Sequence, residues 1–300
     1  MTMQMNKKEL KAQAKSQRKP FNKTGLSAVR HVSNRVLLYG LLILFAAFFL
    51  LPLYLVILTS IKPLDEISLS AMWDLPTGID FSAYALAWEK LAPAFANTFT
   101  LVIPAAIIAS VLGSLNGYVL SKWKFPGSNV IFTLMLFGMF IPYQAILIPL
   151  SNTVRDLGLY GGTTGLILVH IVYGLPIMTL IFRNFYLGIP DEIVEAARVD
   201  GAGMLKTYTQ VILPLSVPAF IVAIIWEFTA VWNDFLFAVV LTGPKAWPIT
   251  VALNNIAGSQ IVEWNVQMSA ALMASIPTIL VYILLGKYFM RGMMSGALKG

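Results

Sequence analysis

The sequence predicts an all-α membrane protein of six transmembrane helices with both termini cytoplasmic. Hydrophobic residues make up 58% of the 300 positions and charged residues only 12%, too little polar material to cover a soluble domain of this size. Six runs are long and apolar enough to cross a bilayer, at about 36–61, 94–120, 130–150, 163–182, 215–241 and 268–290. Each is continuously apolar, whereas barrel strands alternate over about ten residues, so helices are the expected way to satisfy the backbone in lipid. Lys and Arg are also unevenly placed: seventeen of the 21 fall on one side of this arrangement. That side is read as cytoplasmic.

In chain order, residues 1–34 form a basic cytoplasmic tail and 35–300 the transmembrane domain. Nine Lys and Arg precede position 36, among them Lys7, Lys8, Lys11 and Arg35, and aromatic residues there are few. A solvated tail near anionic headgroups explains the net charge of +7, so nucleic acid is not expected as a partner. The first run is too long for a signal-peptide core and stays as an anchor. Residues 62–93, with Trp73, Phe81, Tyr84 and Trp88, form an outer loop expected to pack as short interfacial helices. Pro and Gly interrupt several later runs, including Pro104, Gly113, Pro142, Gly174, Pro176 and Pro277. Routine helix packing and flexing along a gated path both remain open for them.

Between the fourth and fifth runs, at about 184–214, lies a polar cytoplasmic loop. Pro190 suits the start of a helix, and Asp191 and Glu192 in the first turn favour the positive end of its dipole. Ile193, Ala196, Ala197 and Asp200 recur at three- and four-residue spacing as one small, closely packing face. Glu195 and Arg198 sit on another side, and Gly201 and Gly203 end the helix.

The motif Glu195-Ala196-Ala197, three residues, Gly201, nine residues, Val211, one residue, Leu213-Pro214 resembles the EAA loop of ATP-binding-cassette importer permeases. Only Val211 departs, replacing Ile conservatively. The closing segment, with Tyr288, Phe289, Arg291, Gly292, Gly296, Ala297, Lys299 and Gly300, resembles that of maltose-type sugar permeases. The resemblance implies a type I importer permease whose loop docks in a cleft of an ATPase subunit, with Glu195, Ala196, Ala197, Asp200 and Gly201 carrying the coupling. It further implies a second homologous permease subunit, two cytoplasmic ATPase subunits, an extracytoplasmic solute-binding protein and a sugar substrate. ATP and Mg would be held by the ATPase subunits, with no cofactor on this chain.

The fifth run puts Glu227 and Asp234 in apolar surroundings, where an unpaired ionisable group costs about 2.5–3.5 kcal/mol on insertion scales. Seven residues is nearly two turns, so one continuous helix would place both on the same side. With Asn233, Asn116, Tyr143, Gln144 and His170 they either line the solute path or make structural contacts to the second permease. The segment 232–236 also resembles one frequent in carbohydrate permeases. Residues 242–267, with Trp247, Trp264, Asn254 and Asn255, are expected to meet the solute-binding protein or to lie in an aromatic belt.

There is no GxxxxGK[ST] loop, HExxH, GxSxG or cysteine, and only His31 and His170 are present. No nucleotide-binding or hydrolytic machinery can be assembled from these residues, so a transport subunit rather than an enzyme is expected. Three alternatives remain: a permease for a non-sugar solute, a proton-driven transporter using Glu227 or Asp234, and a non-transporting scaffold.

Overall fold

The computed structural model describes residues 25–123, 125–258 and 263–297, with side chains described from residue 34 to residue 286 within those ranges. Its helices are α1 (Gly25–Ser60), α2 (Ser82–Lys122), α3 (Ser128–Gly138), α4 (Leu147–Asp156), α5 (Thr163–Leu187) and α6 (Asp191–Val199). They continue with α7 (Met204–Leu215), α8 (Val217–Trp232), α9 (Leu236–Leu241), α10 (Ile249–Ala257) and α11 (Trp264–Ala297). Among the described residues there is no β-strand, only an isolated bridge between Gly161 and Thr242. The basic tail before residue 25 and the side chains of the closing segment from Tyr288 lie outside the described residues.

The chain divides into two compact units at Leu55. The first consists of the greater part of α1, whose Phe45, Phe48, Phe49 and Leu50 are exposed as in a helix surrounded by lipid. Everything below concerns the second unit.

Four helical stretches are long and apolar enough to cross a membrane by themselves: Asn34–Ser60, Ser82–Lys122, Thr163–Leu187 and Trp264–Gly286. The third run of the sequence is instead a bent pair, and a second bent pair joins the end of the polar loop to the start of the fifth run. α3 and the segment Tyr143–Asp156 meet at 86° across Pro142, and α7 and α8 meet at 78° at Ser216. A proline cannot continue the hydrogen-bond ladder, which accounts for a bend at Pro142 and for one between Pro214 and Pro218.

The centre of the unit is α2 against α5. In 41 residues α2 buries Ala83, Ala87, Leu91, Ala94, Thr98, Leu101, Ala105 and Ala109, a stripe at helical spacing. At about 1.5 Å per residue it is roughly 60 Å long, well beyond the hydrocarbon thickness. Its first third comes from residues expected to form short interfacial helices, because a helix continued across Pro93 buries the Ala83, Ala87 and Leu91 face. Lower down, Gly113 and Gly117 lie directly on α5. A Cβ added at Gly117 would be 2.7 Å from Arg183 N, and one at Gly113 2.8 Å from the Met178 carbonyl carbon. Two glycines four apart let the backbones touch, which is how helices associate where burial from water supplies no drive.

Residues 242–258 fold back onto α2. Thr98 Oγ1 accepts from Ile249 N at 2.8 Å, and Asn97 Nδ2 donates to the carbonyls of Lys245 and Trp247 at 3.0 and 3.1 Å. Trp247 consequently packs against the core, while Trp264, Asn254 and Asn255 stay exposed.

Candidate functional site

Two regions gather the residues singled out in the sequence. The first is α6 and what holds it. Pro190 caps α6, Asp191 and Glu192 occupy its first turn, and Gly201 ends it in the left-handed region at φ 77°. Of the small face read from the spacing, Ile193, Ala196 and Asp200 are exposed, as is Glu195, whereas Ala197 is buried together with Val194. The apolar Val194, three residues before Ala197, sits deepest and packs with Tyr186, Tyr208 and Ile212. Of the small residues expected to share one face, Ala197 is therefore committed to this chain, and Ala196 to the outside.

A lysine at the end of α2 fixes the start of α6. Lys122, buried, donates from Nζ to Ile189 O at 2.5 Å and to Asp191 Oδ1 at 2.6 Å. Beyond it, the Arg198 guanidinium lies 4.4 Å from the ring centre of Trp123. The far side of the loop is tied by a buried hydroxyl cluster. Ser114 Oγ is 2.6 Å from Tyr186 Oη and 2.8 Å from Tyr208 Oη, and Ser216 Oγ is 3.0 Å from Tyr186 Oη. Tyr118 Oη donates to Met204 O at 3.1 Å. Tyr208 opens a single π-helical turn, Tyr208–Ile212, which turns its hydroxyl toward Ser114. In the sequence Lys122 is only one of the seventeen basic residues on the side read as cytoplasmic, and nothing in the spacing of these tyrosines along the chain marks them as neighbours.

The second region is a cavity of about 530 Å³ between α5 and α8–α9. Of the path candidates, Tyr143, Glu227, Asn233, Asp234 and also His170 line it; Gln144 and Asn116 do not. Gln144 is exposed on the 3-10 turn Tyr143–Ile146, and Asn116 is half-buried on α2. Tyr173, Gly174, Trp226, Phe235 and Phe237 complete much of the wall.

Glu227 and Asp234 reach the cavity from different elements rather than from one helix. α8 stops at Trp232; Asn233 ends it, with Nδ2 donating to Thr229 O at 2.8 Å. The Asp234 carboxylate then accepts the amides of Phe237 at 3.3 Å and Ala238 at 3.0 Å, capping α9. An Asn-Asp pair favours such a break because both side chains compete for nearby backbone groups. His170 Nε2 is 3.4 Å from Asp234 Oδ2 but has no hydrogen-bond partner.

Glu227 is only 3% exposed, and no described residue donates a hydrogen bond to its carboxyl group. Its room comes from Gly174 on α5: a Cβ there would lie 2.6 Å from Glu227 Oε2. Phe237 forms the floor, with Tyr173, Tyr143 and His170 rings at 5.0, 5.4 and 5.9 Å. Acceptor groups among aromatic faces suit a ligand that is rich in hydroxyls and has apolar ring faces.

Residues 109–295 match the family described as binding-protein-dependent transport system inner membrane component. A probable ABC transporter permease protein of Pyrococcus horikoshii is 46% identical, over 91% of this chain and 100% of its own. The xylose/arabinose import permease protein of Haloferax volcanii is 34% identical, over 88% of this chain and 93% of its own. Among solved structures, a chain of a bacterial ABC transporter involved in the import of the acidic polysaccharide alginate is similar with a TM-score of 0.73. It is 26% identical, covering 90% of this chain and 100% of that one. The match over most of the chain places α6 and the cavity within one known architecture, and the protein belongs to the family of binding-protein-dependent transport system inner membrane components.

Proposed function

We propose that this chain is one of two homologous permease subunits of a binding-protein-dependent, ATP-driven sugar importer of the maltose-type branch. In this reading there are six crossings, the bent pair across Pro142 and the segment 215–241 each counting as one, with both termini and the loop at about 184–214, α6 included, in the cytoplasm. Two ATPase subunits bind ATP and Mg, one of them receiving α6, and an external solute-binding protein delivers the sugar. The carbohydrates named for the Haloferax and alginate relatives support the sugar, as do the aromatic rings and acceptor groups around the cavity.

The observation that carries the coupling half of the reading is the contrast within α6. Glu195, Ala196 and Asp200 face outward, while Val194 and Ala197 seat the helix and Lys122 ties it to α2. A short helix held firmly beneath and bare above can receive a push and pass it to the long helices. Closure of the ATPase pair on ATP would displace α6, and α2 and α5 would move with it to open the path to the other side.

The test is uptake by the complete importer in liposomes across a panel of sugars and non-sugar solutes, with Gly201→Asp as the coupling variant. Expected are ATP-dependent uptake of a sugar and its loss in the variant with assembly intact. Uptake of a non-sugar solute alone, or uptake that follows the proton gradient without the ATPases, would overturn the reading.

A further inference from the structure

We infer that the α5–α8 cavity selects uncharged or basic glycans over acidic ones, with Glu227 as the specificity-determining hydrogen-bond acceptor. The inference rests on the sugar-permease reading and adds to it the charge class of the substrate.

The Glu227 carboxyl group is 3% exposed, receives no hydrogen bond from the described residues and opens on the cavity, so its oxygens can meet a donor that enters there. Neutral sugars bring hydroxyls, and amino sugars bring an ammonium group; both donate. A uronate keeps its ring hydroxyls but adds a carboxylate, which is charged and accepts only. His170 Nε2, also buried and without a hydrogen-bond partner, offers a second polar position on the same wall. Asp234, whose carboxylate already accepts two amides of α9, adds further negative character.

The wall contains no lysine or arginine among the described residues. A glycan carboxylate entering would be stripped of water and would find no guanidinium or ammonium, only the His170 imidazole, which already faces Asp234 Oδ2 at 3.4 Å, an arrangement that disfavours an anionic ligand. Gly174 belongs to the same device. Without a Cβ, it lets the Glu227 carboxyl lie against α5 and face the cavity.

The test uses the purified complex of both permeases and both ATPases, so that the external binding protein's own preference does not enter. The probes are glucose with glucuronate, galactose with galacturonate, and glucosamine, each read by ligand-observed saturation-transfer NMR. Glucose, galactose and glucosamine should bind at least about tenfold more tightly than the uronates, as entry of a carboxylate beside the Asp234 carboxylate with no cationic side chain to receive it implies. Glu227→Gln, nearly isosteric, should narrow that ratio; Glu227→Lys should invert it. Gly174→Ala should weaken the neutral sugars, and it provides a second variant if the lysine prevents assembly. Uronates binding as well as the neutral sugars, or a ratio unmoved by Glu227→Gln, would overturn the inference. Absence of binding by every sugar would overturn it too. Uptake of the same sugars by the complete importer then shows whether the sugar reading has failed or only the role of this cavity.

Discussion

Lys122, the last residue of α2, places its ammonium 2.6 Å from the carboxylate of Asp191, the first residue of α6. The two ends of the pair sit very differently: the lysine side chain is 3% exposed and that of Asp191 57%. Lys122 is thus the committed partner, because its desolvation is offset only by Asp191 and the Ile189 carbonyl. Lys122→Met removes both hydrogen bonds from the end of α2 to the start of α6. Hydrogen exchange over residues 189–200 should speed up by about tenfold or more, in line with loss of charge-assisted hydrogen bonds. Exchange unchanged from the parent would show that the helix is held by its apolar face alone.

Gly201 ends α6 at φ 77° with no atom within 4 Å of where a Cβ would be, so strain and not crowding governs its replacement. Gly201→Ala should cost about 1 kcal/mol of local stability, and Gly201→Asn less, since Asn tolerates the left-handed region. Melting of the assembled complex gives the order Gly, Asn, Ala. Gly201→Asp adds a charge at the exposed end of α6, so coupling should fall further than stability does.

Asp234 is a helix cap inside a cavity wall. Asp234→Ala frees the Phe237 and Ala238 amides and should destabilise α9 by about 0.5–2 kcal/mol, with the Phe237 ring losing its fixed position. Asp234→Asn keeps an oxygen acceptor and should cost less. Exchange protection of residues 236–241 distinguishes the two. Equal protection in both variants would remove the cap from the account.

On the loop before α2, Glu66 accepts from both the backbone N–H and the hydroxyl of Thr77, which holds its carboxyl below the ordinary value of 4.5. A carboxylate lowered in the folded state contributes stability that is fully present above its unfolded value and is lost as pH falls through the folded one. Exchange of the Thr77 amide should therefore stay equally protected, relative to its intrinsic rate, from neutral pH to about pH 5 and lose protection below about pH 4. Thr77→Val should abolish much of that dependence.

The long apolar runs and the EAA spacing made the membrane helices and the start and end of α6 legible in the sequence. Composition could not show the bends. The fifth run reads as one continuous apolar stretch, yet it breaks at Asn233–Asp234, where side chains that compete with the helix backbone coincide with a wall that needs a cap. The exposed side of α6 was legible except at Ala197, which the spacing groups with Ala196 and which the packing of Val194 with Tyr186 and Tyr208 turns inward. Glu227 stood out from its apolar neighbours, but Gly174 did not declare itself as its counterpart across 52 intervening positions, which contact in space alone supplies. The hydroxyl cluster of Ser114, Tyr186, Tyr208 and Ser216 was hidden for the same reason.

Because the chain has no cysteine, a single thiol introduced at the exposed Ala196 can report what touches α6. Ala196→Cys in the complete importer, treated with a short bifunctional thiol reagent after a cysteine has been placed in the cleft of the ATPase subunit, tests the central claim directly. The account predicts a cross-link between the two chains, and loss of ATP-driven sugar uptake that reduction of a cleavable linker restores. No cross-link in a complex that transports normally, or a cross-link that leaves uptake intact, would contradict it.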